Sequence, residues 1–301
     1  MTDPEALARV VDALAEAFAD LSAGRTLSPS RTVIEHGPHR QLLTGTAVWE
    51  RRGVATVKIT TITPDNPDRG LPLIHGTVVL VDLETGRVTA QFDGADLTAV
   101  RTGATAALAT RLCAPEDAAE LAVIGAGVQA RALVRAISAV RPVEHVRVHS
   151  RTRPDAFAEW VRESFGHSVS LDDDVKTAVE NAAIVCTATS TDDPTPLVDA
   201  SWIADGAHVN VIGGTHEDAI EVDPTLLAKA FVVVEQKEAA IADAGEVRAA
   251  LAGGLIREAD LHEIGAITGR PPGATSVFRS VGMPIEDTAA AAALFSFGSG
   301  P

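Results

Sequence analysis

ELAVIGAGVQA, residues 120–130, is the stretch that decides the fold of this chain. Its first five residues have the apolar character of a buried parallel strand, and apolar residues recur at helical spacing after it. Gly125 permits a tight turn, Gly127 lets backbone N–H groups approach a pyrophosphate, and Ala130 lets the helix pack closely on the strand. The positive end of the helix dipole then faces the phosphates. The stretch predicts a strand, turn and helix that bind a dinucleotide; the alternative is the same turn without a nucleotide.

Strand and helix patterns continue to alternate after this turn. A strand is predicted at His145–His149, about 20 residues beyond the glycines, as a β-α-β unit requires. A helix at Val175–Ala183 follows, with strands at Ile184–Thr187, Ala207–Ile212 and Phe231–Val234. Such alternation implies a parallel sheet with helices on both faces. We therefore predict an α/β fold with a Rossmann-type, doubly wound parallel sheet.

The part of the chain before the turn has a different pattern. Short strand-like runs alternate with turns rich in Gly, Pro and Asp, which predicts a separate α+β domain. A helix is predicted from Leu97 to Leu112, and the final segment is helical from Ile285 to Phe295, with no strand expected from Val277 onward. We expect an α+β domain at 1–112, a dinucleotide-binding Rossmann domain at 113–270, and a C-terminal segment at 271–301 that returns to the first domain.

Composition excludes several classes of function. The chain has 301 residues and a formal net charge of −16, so a nucleic acid or an anionic membrane would be repelled. No apolar run is long enough to span a bilayer, and the amphipathic N-terminal pattern is that of a mature helix, not a signal peptide. Cys113 and Cys186 lie in apolar segments and are expected to be buried thiols of a cytoplasmic protein. No spacing of His, Cys, Asp and Glu indicates a metal site.

The end of the second strand indicates which dinucleotide is bound. NAD sites usually present an acid there to the ribose 2′-hydroxyl, whereas this chain reads SRTR at 150–153 and has its first acid at Asp155. Arginine pairs with a 2′-phosphate, and Ser or Thr hydroxyls donate to it. We therefore favour NADP(H), with NAD(H) as the alternative if the arginines only form a solvated turn. The predicted cofactor contacts are Gly125, Gly127, Val128, Gln129, Ala130, Ser150, Arg151, Thr152, Thr187, Ala188 and Thr189.

With the glycine turn, three further segments make the chain resemble the ornithine cyclodeaminase/mu-crystallin family: RTGA at 101–104, GAHVN at 206–210 and FRSVGMPIED at 278–287. The resemblance implies a two-domain protein whose N-terminal domain, joined by the C-terminal tail, binds the substrate and forms a homodimer. Members either cyclise ornithine to proline with loss of ammonia, using tightly held NAD, or act as NAD(P)H-dependent imine reductases and amino-acid dehydrogenases. Both chemistries move a hydride at an α-carbon that bears nitrogen and a carboxylate.

Three basic residues, Arg31, Lys58 and Arg101, match positions that resemble the carboxylate-binding residues of that family. A bidentate arginine can orient the carboxylate of an α-imino or α-amino acid. Lys58 lies in an otherwise apolar strand, where an unpaired ammonium would be costly, and a lysine of lowered pKa could give a proton to the substrate nitrogen. The alternatives are a water-facing lysine and a surface salt bridge for Arg101. His75 is a further candidate for substrate binding, against a purely local hydrogen-bonding role.

One position departs from the cyclodeaminases of the family. Where they carry an aspartate that handles the substrate amine, this chain has Thr215, and an unactivated hydroxyl is not a general base near neutral pH. His216 or Asp218 could replace the missing carboxylate. The departure favours an NADPH-dependent oxidoreductase that reduces a small α-imino acid (a ketimine). In reverse, the same enzyme would oxidise an amino acid. We expect Lys58 and Thr215 at its catalytic centre. The alternatives are an ornithine cyclodeaminase with bound NAD and a non-catalytic, NADP-binding protein like mu-crystallin.

Overall fold

The computed structural model describes residues 3–29, 31–191, 193–214 and 219–298. The helices in these ranges are α1 (Pro4–Ser22), α2 (Gly94–Cys113), α3 (Val128–Ser138), α4 (Asp155–Phe165), α5 (Val175–Val179), α6 (Lys237–Asp243), α7 (Gly245–Ala252) and α8 (Pro284–Gly298). The strands are β1 (Thr32–Glu35), β2 (Gln41–Trp49), β3 (Val54–Ile62), β4 (Ile74–Asp82), β5 (Val88–Asp93), β6 (Glu120–Ile124), β7 (His145–His149), β8 (Ser168–Leu171), β9 (Ile184–Thr187), β10 (His208–Val211), β11 (Phe231–Val234), β12 (Leu261–Glu263) and β13 (Ser276–Arg279). In this part of the chain, no helix is both long and apolar enough to cross a membrane.

The chain folds into two compact units. Residues up to Arg101 and from Gly282 onward form the first unit, and Thr102–Val281 form the second. The boundaries expected from the sequence were 112/113 and 270/271. The first lies one residue before the end of α2, most of which belongs to the second unit. The second lies before β13, which also belongs to the second unit.

The expectation of no strand from Val277 onward is wrong. Residues Ser276–Arg279 form β13, which pairs in parallel with β10 on one side and β11 on the other. A central strand of a parallel sheet usually reads as an apolar run. β13 does not, because a serine and an arginine stand at its ends, although both are buried and have polar partners.

The first unit is an antiparallel sheet packed against helices on one face. Its described strands follow in the order β1-β2-β3-β4-β5, and α8 packs on β2, β3, β4 and α1. α1 buries Val10, Leu14 and Phe18 completely, as its amphipathic sequence predicts. Asp20, near the end of α1, is also buried and accepts a 2.8 Å hydrogen bond from Trp49 Nε1. This bond ties α1 to the end of β2.

The second unit is a parallel sheet in the strand order β12-β11-β13-β10-β9-β6-β7-β8. From β6 the chain runs to β7 and β8 on one side, whereas β9 and β10 lie on the other, so the strand order reverses between β6 and β9. In open parallel sheets, a ligand crevice lies outside the carboxyl ends of the strands at such a point. The predicted fold class, a Rossmann-type sheet inserted in an α+β domain, is confirmed.

Interior and edge strands differ in how well the sequence predicts them. β6, β7, β9 and β11 have the predicted bounds. β5, β8 and β12 were not predicted, and each lies at an edge of its sheet. An edge strand is short and partly solvated, so its sequence lacks the continuous apolar run of an interior strand.

Candidate active site

Gly125 brings the glycine turn against the end of β9. Its backbone φ is +110°, a conformation that favours glycine. A Cβ on this residue would lie 2.5 Å from the carbonyl oxygen of Ala188. Its N–H donates a 2.8 Å hydrogen bond to the carbonyl of His149, at the end of β7. Gly125 therefore lets the carboxyl ends of β6, β7 and β9 meet, as a tight dinucleotide-binding turn requires.

Gly127 and the start of α3 fit the pyrophosphate of a dinucleotide. Gly127 is the N-cap of α3 and supplies no side-chain cap, so the first N–H groups of the helix keep their capacity to donate. A Cβ on Gly127 would meet no atom within 4 Å, whereas Ala130 is fully buried. Val128 is 68% exposed, and the buried side-chain oxygen of Gln129 has no hydrogen-bond partner among the described residues. The donors suit a phosphate, and the Gln129 acceptor suits a ligand group that donates.

A cleft of about 200 Å³ opens at the carboxyl ends of β7 and β8. It is lined by His149, Ser150, Arg153, Pro154, Leu171, Asp172 and Asp173. Ser150 Oγ donates to the carbonyl of Thr152 at 2.5 Å, Arg153 pairs with Asp155 at 3.0 Å, and Arg151 is exposed. The two aspartates were not predicted as part of the site because they follow β8, itself an unpredicted strand. The cleft thus combines one arginine, Arg153, which suits a 2′-phosphate, with carboxylates that suit a 2′-hydroxyl.

The predicted contacts at the end of β9 are shaped by a buried carboxylate. Thr187 Oγ1 donates to Glu221 Oε2 at 2.7 Å, and Thr189 donates to Glu221 Oε1 from its N–H at 2.9 Å and its hydroxyl at 2.6 Å. Ala188 donates its N–H to the carbonyl of Ile124 at 2.8 Å. Burial raises the pKa of Glu221, and the hydrogen bonds from the threonines oppose that shift. Both threonine hydroxyls therefore serve to hold the backbone at the end of β9.

The loop after β10 packs against the carboxylate of Glu221. A Cβ on Gly213 would lie 2.4 Å from Glu221 Oε1, so only glycine fits there. Arg279 of β13 donates to the carbonyls of Gly213 and Gly214 at 2.7 Å each. Arg279 also pairs with Glu246 at 2.9 Å, and both side chains are buried. These contacts give the carboxyl ends of β9, β10 and β13 one defined shape.

Thr215, the residue expected at the catalytic centre, lies outside the described residues. The same holds for His216 and Asp218, the two candidates for the missing carboxylate. The described part of this loop ends at Gly214 and resumes at Ala219. Their roles therefore stay predictions from the sequence.

Lys58 and Arg101 come together in the first unit beside the start of α8. Lys58 Nζ, from β3, donates to Thr98 Oγ1 at 2.5 Å and to Asp287 Oδ1 at 3.1 Å. Arg101, from α2, pairs with Glu286 at 2.9 Å, and its Nε lies 3.9 Å from the same Asp287 oxygen. The two cationic side chains are only 18% and 13% exposed. We call these five residues the charged cluster; neither of its cations is a surface charge.

Burial and pairing set the chemistry of the charged cluster. Desolvation lowers the pKa of Lys58, Asp287 opposes that shift, and Arg101 adds to it. A buried lysine of lowered pKa gives up a proton more readily than one in water. A guanidinium is planar and always charged, which suits it to orient a carboxylate. The charged cluster can therefore bind an anionic group and supply a proton beside it.

Arg31 reaches the same neighbourhood through the backbone of Gly282. Its Nη2 donates to the Gly282 carbonyl at 3.2 Å. Gly282 has a φ of +79°, and a Cβ there would lie 3.0 Å from Arg101 Nη2. Glycine at this position lets the guanidinium of Arg101 lie against the backbone. The first unit thus brings the three predicted carboxylate-binding cations close to one another.

His75 is not placed with these cations. In the pairing of β3 with β4, Lys58 lies opposite Val78, whereas His75 lies opposite Thr61. Side chains three positions apart on a strand point to opposite faces of the sheet. His75 is therefore on the other face from Lys58, where it is exposed.

The carboxylates that hold the cations were not predicted to have a role. Glu286 and Asp287 begin α8 in the segment that carried the family resemblance, but acids at a helix start are common because they favour the helix dipole. Glu221 and Glu246 lie in segments with other acids, and nothing in the sequence distinguishes them from those neighbours. The signal available was indirect, since a lysine or arginine in an apolar segment needs a buried partner.

The described residues place no group of three or more His, Cys, Asp or Glu side chains where it could hold a metal ion. Cys113 and Cys186 are free and buried. Burial raises the pKa of Cys113 to about 11 and that of Cys186 to about 12. Both thiols therefore stay protonated and unreactive at neutral pH, as their apolar sequence surroundings predict.

Comparisons with known proteins identify relatives over nearly the whole chain. The profile of the ornithine cyclodeaminase/mu-crystallin family matches residues 3–296. A Delta(1)-pyrroline-2-carboxylate reductase of Bacillus cereus is 33% identical over 297 residues, which cover 95% of this chain and 90% of the relative. Ketimine reductase mu-crystallin of Mus musculus is 32% identical over 284 residues, 92% of this chain and 87% of the relative. The fold is similar to that of Thermococcus litoralis Delta(1)-pyrroline-2-carboxylate reductase in complex with NADH and L-proline, with a TM-score of 0.89 and 30% identity over 97% of this chain and 94% of that chain.

Proposed function

The chain belongs to the ornithine cyclodeaminase/mu-crystallin family, and we propose that it is an NAD(P)H-dependent reductase of a small α-imino acid. The observation that carries the proposal is the charged cluster, in which a buried arginine suited to a carboxylate lies close to a buried lysine suited to give a proton. Two relatives named for the reduction of a cyclic imine or a ketimine support the same reaction class. The reverse reaction would oxidise an amino acid.

The roles of the residues follow from the reaction. Reduction of a C=N bond needs a hydride at carbon and a proton at nitrogen; the nicotinamide supplies the hydride when it is bound. Arg101, with Arg31, binds the carboxylate and so fixes the orientation of the imine carbon. Lys58 gives its proton to the imine nitrogen and recovers one from water. The product is the corresponding amino acid.

The cofactor is held by the turn at Gly125 and Gly127 and by the start of α3, which bind the pyrophosphate common to NADH and NADPH. We favour NADPH because Arg151 is exposed at the end of β7, where it can pair with a 2′-phosphate. Asp172 and Asp173 in the adjacent cleft suit the 2′-hydroxyl of NADH, so we expect NADH to be used as well. The similar protein from Thermococcus litoralis, whose structure is in complex with NADH, supports this second form.

We propose that the protein acts as a homodimer through the uncovered face of the first unit's sheet. On β4, Val78 and Leu80 are buried, whereas Val79 between them is only partly buried. Ile34 and Ile59, on the same face as Val79 in the strand register, are 52% and 48% exposed. Large exposed apolar patches of this kind mark interaction surfaces. A symmetric pair of such faces would bury each other.

We propose a cytoplasmic location. The two cysteines support it, because both are free and buried, as is usual in a reducing compartment.

One assay tests the proposed function. Purified protein is mixed with NADPH or NADH, and absorbance at 340 nm is followed with Δ1-pyrroline-2-carboxylate, a six-membered cyclic ketimine, and pyruvate plus ammonia. We expect oxidation of the cofactor with at least one imine and formation of the matching amino acid. Proline formation from ornithine without net cofactor oxidation would instead identify a cyclodeaminase, and binding of NADPH without any turnover would identify a non-catalytic protein.

A further inference from the structure

We propose that Asp287 is a positioning residue for the reaction, which fixes Lys58 beside Arg101 and keeps the lysine in its proton-donating form. The inference rests on the proposed imine reduction and concerns the same site. It assigns a role to a residue for which the sequence suggested none. The argument comes from hydrogen-bond direction, from the surroundings of Lys58 and from the position of Asp287 between two cations.

The direction of the hydrogen bonds around Lys58 is fixed by Thr98. The Thr98 hydroxyl donates to the carbonyl of Gly94 at 2.6 Å, so toward Lys58 it can only accept. Lys58 therefore donates one N–H to Thr98 and a second to Asp287. An ammonium has three N–H groups, and the third has no protein partner among the described residues. That third N–H is the one available to a substrate nitrogen.

The strongest charge effects on Lys58 come from α2 and α8. The residues opposite Lys58 on the neighbouring strands are Gly45 and Val78, which carry no charge. α2 contributes Arg101, and α8 contributes Asp287 and, more weakly, Glu286. Two buried cations this close repel each other and lose hydration. Asp287 is the carboxylate that contacts Lys58 and also lies near Arg101, so it offsets both effects at once.

The expected pH effect has a definite sign. Lys58 must be protonated to give a proton, so the reaction slows as pH rises through the pKa of the lysine. Burial and Arg101 lower that pKa, and Asp287 opposes them. Loss of the Asp287 charge therefore lowers the pKa of Lys58 further. Activity would then be lost at a lower pH than in the wild-type enzyme.

The test compares D287N with E286Q. The pH profile of kcat/KM is measured with Δ1-pyrroline-2-carboxylate at saturating NADPH, together with circular dichroism and melting temperature. We expect D287N to move the alkaline limb to lower pH by about 1 unit or more, the scale of a close opposite charge. E286Q removes a carboxylate that contacts Arg101 instead of Lys58, so it should raise KM and move the limb much less. Ionisation of the free substrate is the same in all three proteins and cancels in the comparison.

Folded D287N with the wild-type alkaline limb would overturn the inference, and so would an equal shift in E286Q. If D287N does not fold, D287S takes its place. It removes the same charge with a smaller side chain and should shift the limb in the same direction; an unshifted limb in folded D287S would also contradict the inference. Failure of the proposed function is distinguishable, because the wild-type protein would then oxidise no cofactor with any imine.

Discussion

At the scale of single residues, the charged cluster is stable because each buried cation has a buried carboxylate beside it. Lys58 pairs with Asp287, and Arg101 pairs with Glu286. Removing one member of a buried pair typically costs about 3–5 kcal/mol, because the other charge is left uncompensated. A substrate carboxylate that enters such a site meets cations already held in place. The carboxylates therefore hold Lys58 and Arg101 in place before the substrate binds. They also reduce the net positive charge that the substrate carboxylate meets.

Arg101 should affect substrate binding but not cofactor binding. R101A removes a charge-assisted contact worth about 1.5–3 kcal/mol, so KM for the imino acid should rise about 10- to 100-fold. The dissociation constant for NADPH, measured by fluorescence titration, should stay unchanged. R69A, which removes an exposed arginine of the same unit, is the matched control and should leave both constants unchanged. Equal weakening of substrate and cofactor in R101A would contradict the assigned role.

The two glycines of the turn should respond differently to alanine. G127A has a compatible φ of −82° and a Cβ in open space, so its melting temperature should stay within about 2 °C of wild type. The same Cβ would intrude on the pyrophosphate, so cofactor affinity should fall about 10-fold or more. G125A meets the Ala188 carbonyl and should lower the melting temperature as well. Unchanged cofactor affinity in folded G127A would show that no dinucleotide binds at this turn.

At the scale of elements, neutral polar contacts join the strands of the parallel sheet to one another and to α2. Inside the sheet, His208 of β10 shares a hydrogen bond with Ser276 of β13 at 2.9 Å and another with Asn210 at 3.2 Å. Asn210 in turn donates to Thr110 of α2 at 3.0 Å. Buried polar groups that are fully satisfied in this way fix a unique arrangement of the elements.

His208 should make the protein sensitive to acid. Burial lowers the pKa of His208 to about 3 from 6.5, so below pH 6.5 the unfolded chain binds a proton that the folded protein does not. Stability is therefore lost as pH falls, by about 2 kcal/mol from this residue between pH 6.5 and 5. Urea unfolding of wild type and H208N across that range measures the effect. H208N should show the shallower decline, and parallel declines would refute the assignment.

The sequence predicts strands well where their residues form an apolar run, and poorly where buried polar residues interrupt that run. β6 and β9 are continuous apolar runs with no polar face, which is why their bounds were predicted. β13 and the edge strands carry polar residues whose partners come from distant parts of the chain, such as Glu246 for Arg279. The site follows the same rule. Lys58 was predicted because it interrupts an apolar strand, whereas Asp287 has no such local signal.

At the scale of the whole molecule, the fold separates two tasks. The second unit carries the predicted dinucleotide turn, and the first unit carries the cations and an uncovered sheet face. An enzyme that uses a hydride carrier needs both a cofactor site and a separate means of orienting the substrate. The division into units therefore agrees with the reductase chemistry for which the relatives are named.

The uncovered sheet face should control assembly. I59K places a charge on that face, and because a twofold interface uses the same face twice, each dimer would bury two such charges. We expect the dimer dissociation constant to rise at least about 100-fold, as measured by analytical ultracentrifugation. L255K, which changes an exposed leucine of the second unit, is the control and should stay dimeric. A dimeric I59K, or a monomeric wild type, would exclude this face as the interface.

The central claim is that a hydride passes from the nicotinamide to the carbon of a C=N bond. The most direct measurement is turnover of Δ1-pyrroline-2-carboxylate with NADPH deuterated at the transferred C4 position, followed by mass spectrometry of the amino acid formed. We predict proline that carries one deuterium at Cα, in equal amount to the NADP⁺ produced. Unlabelled proline, or cofactor oxidation without formation of an amino acid, would contradict the claim.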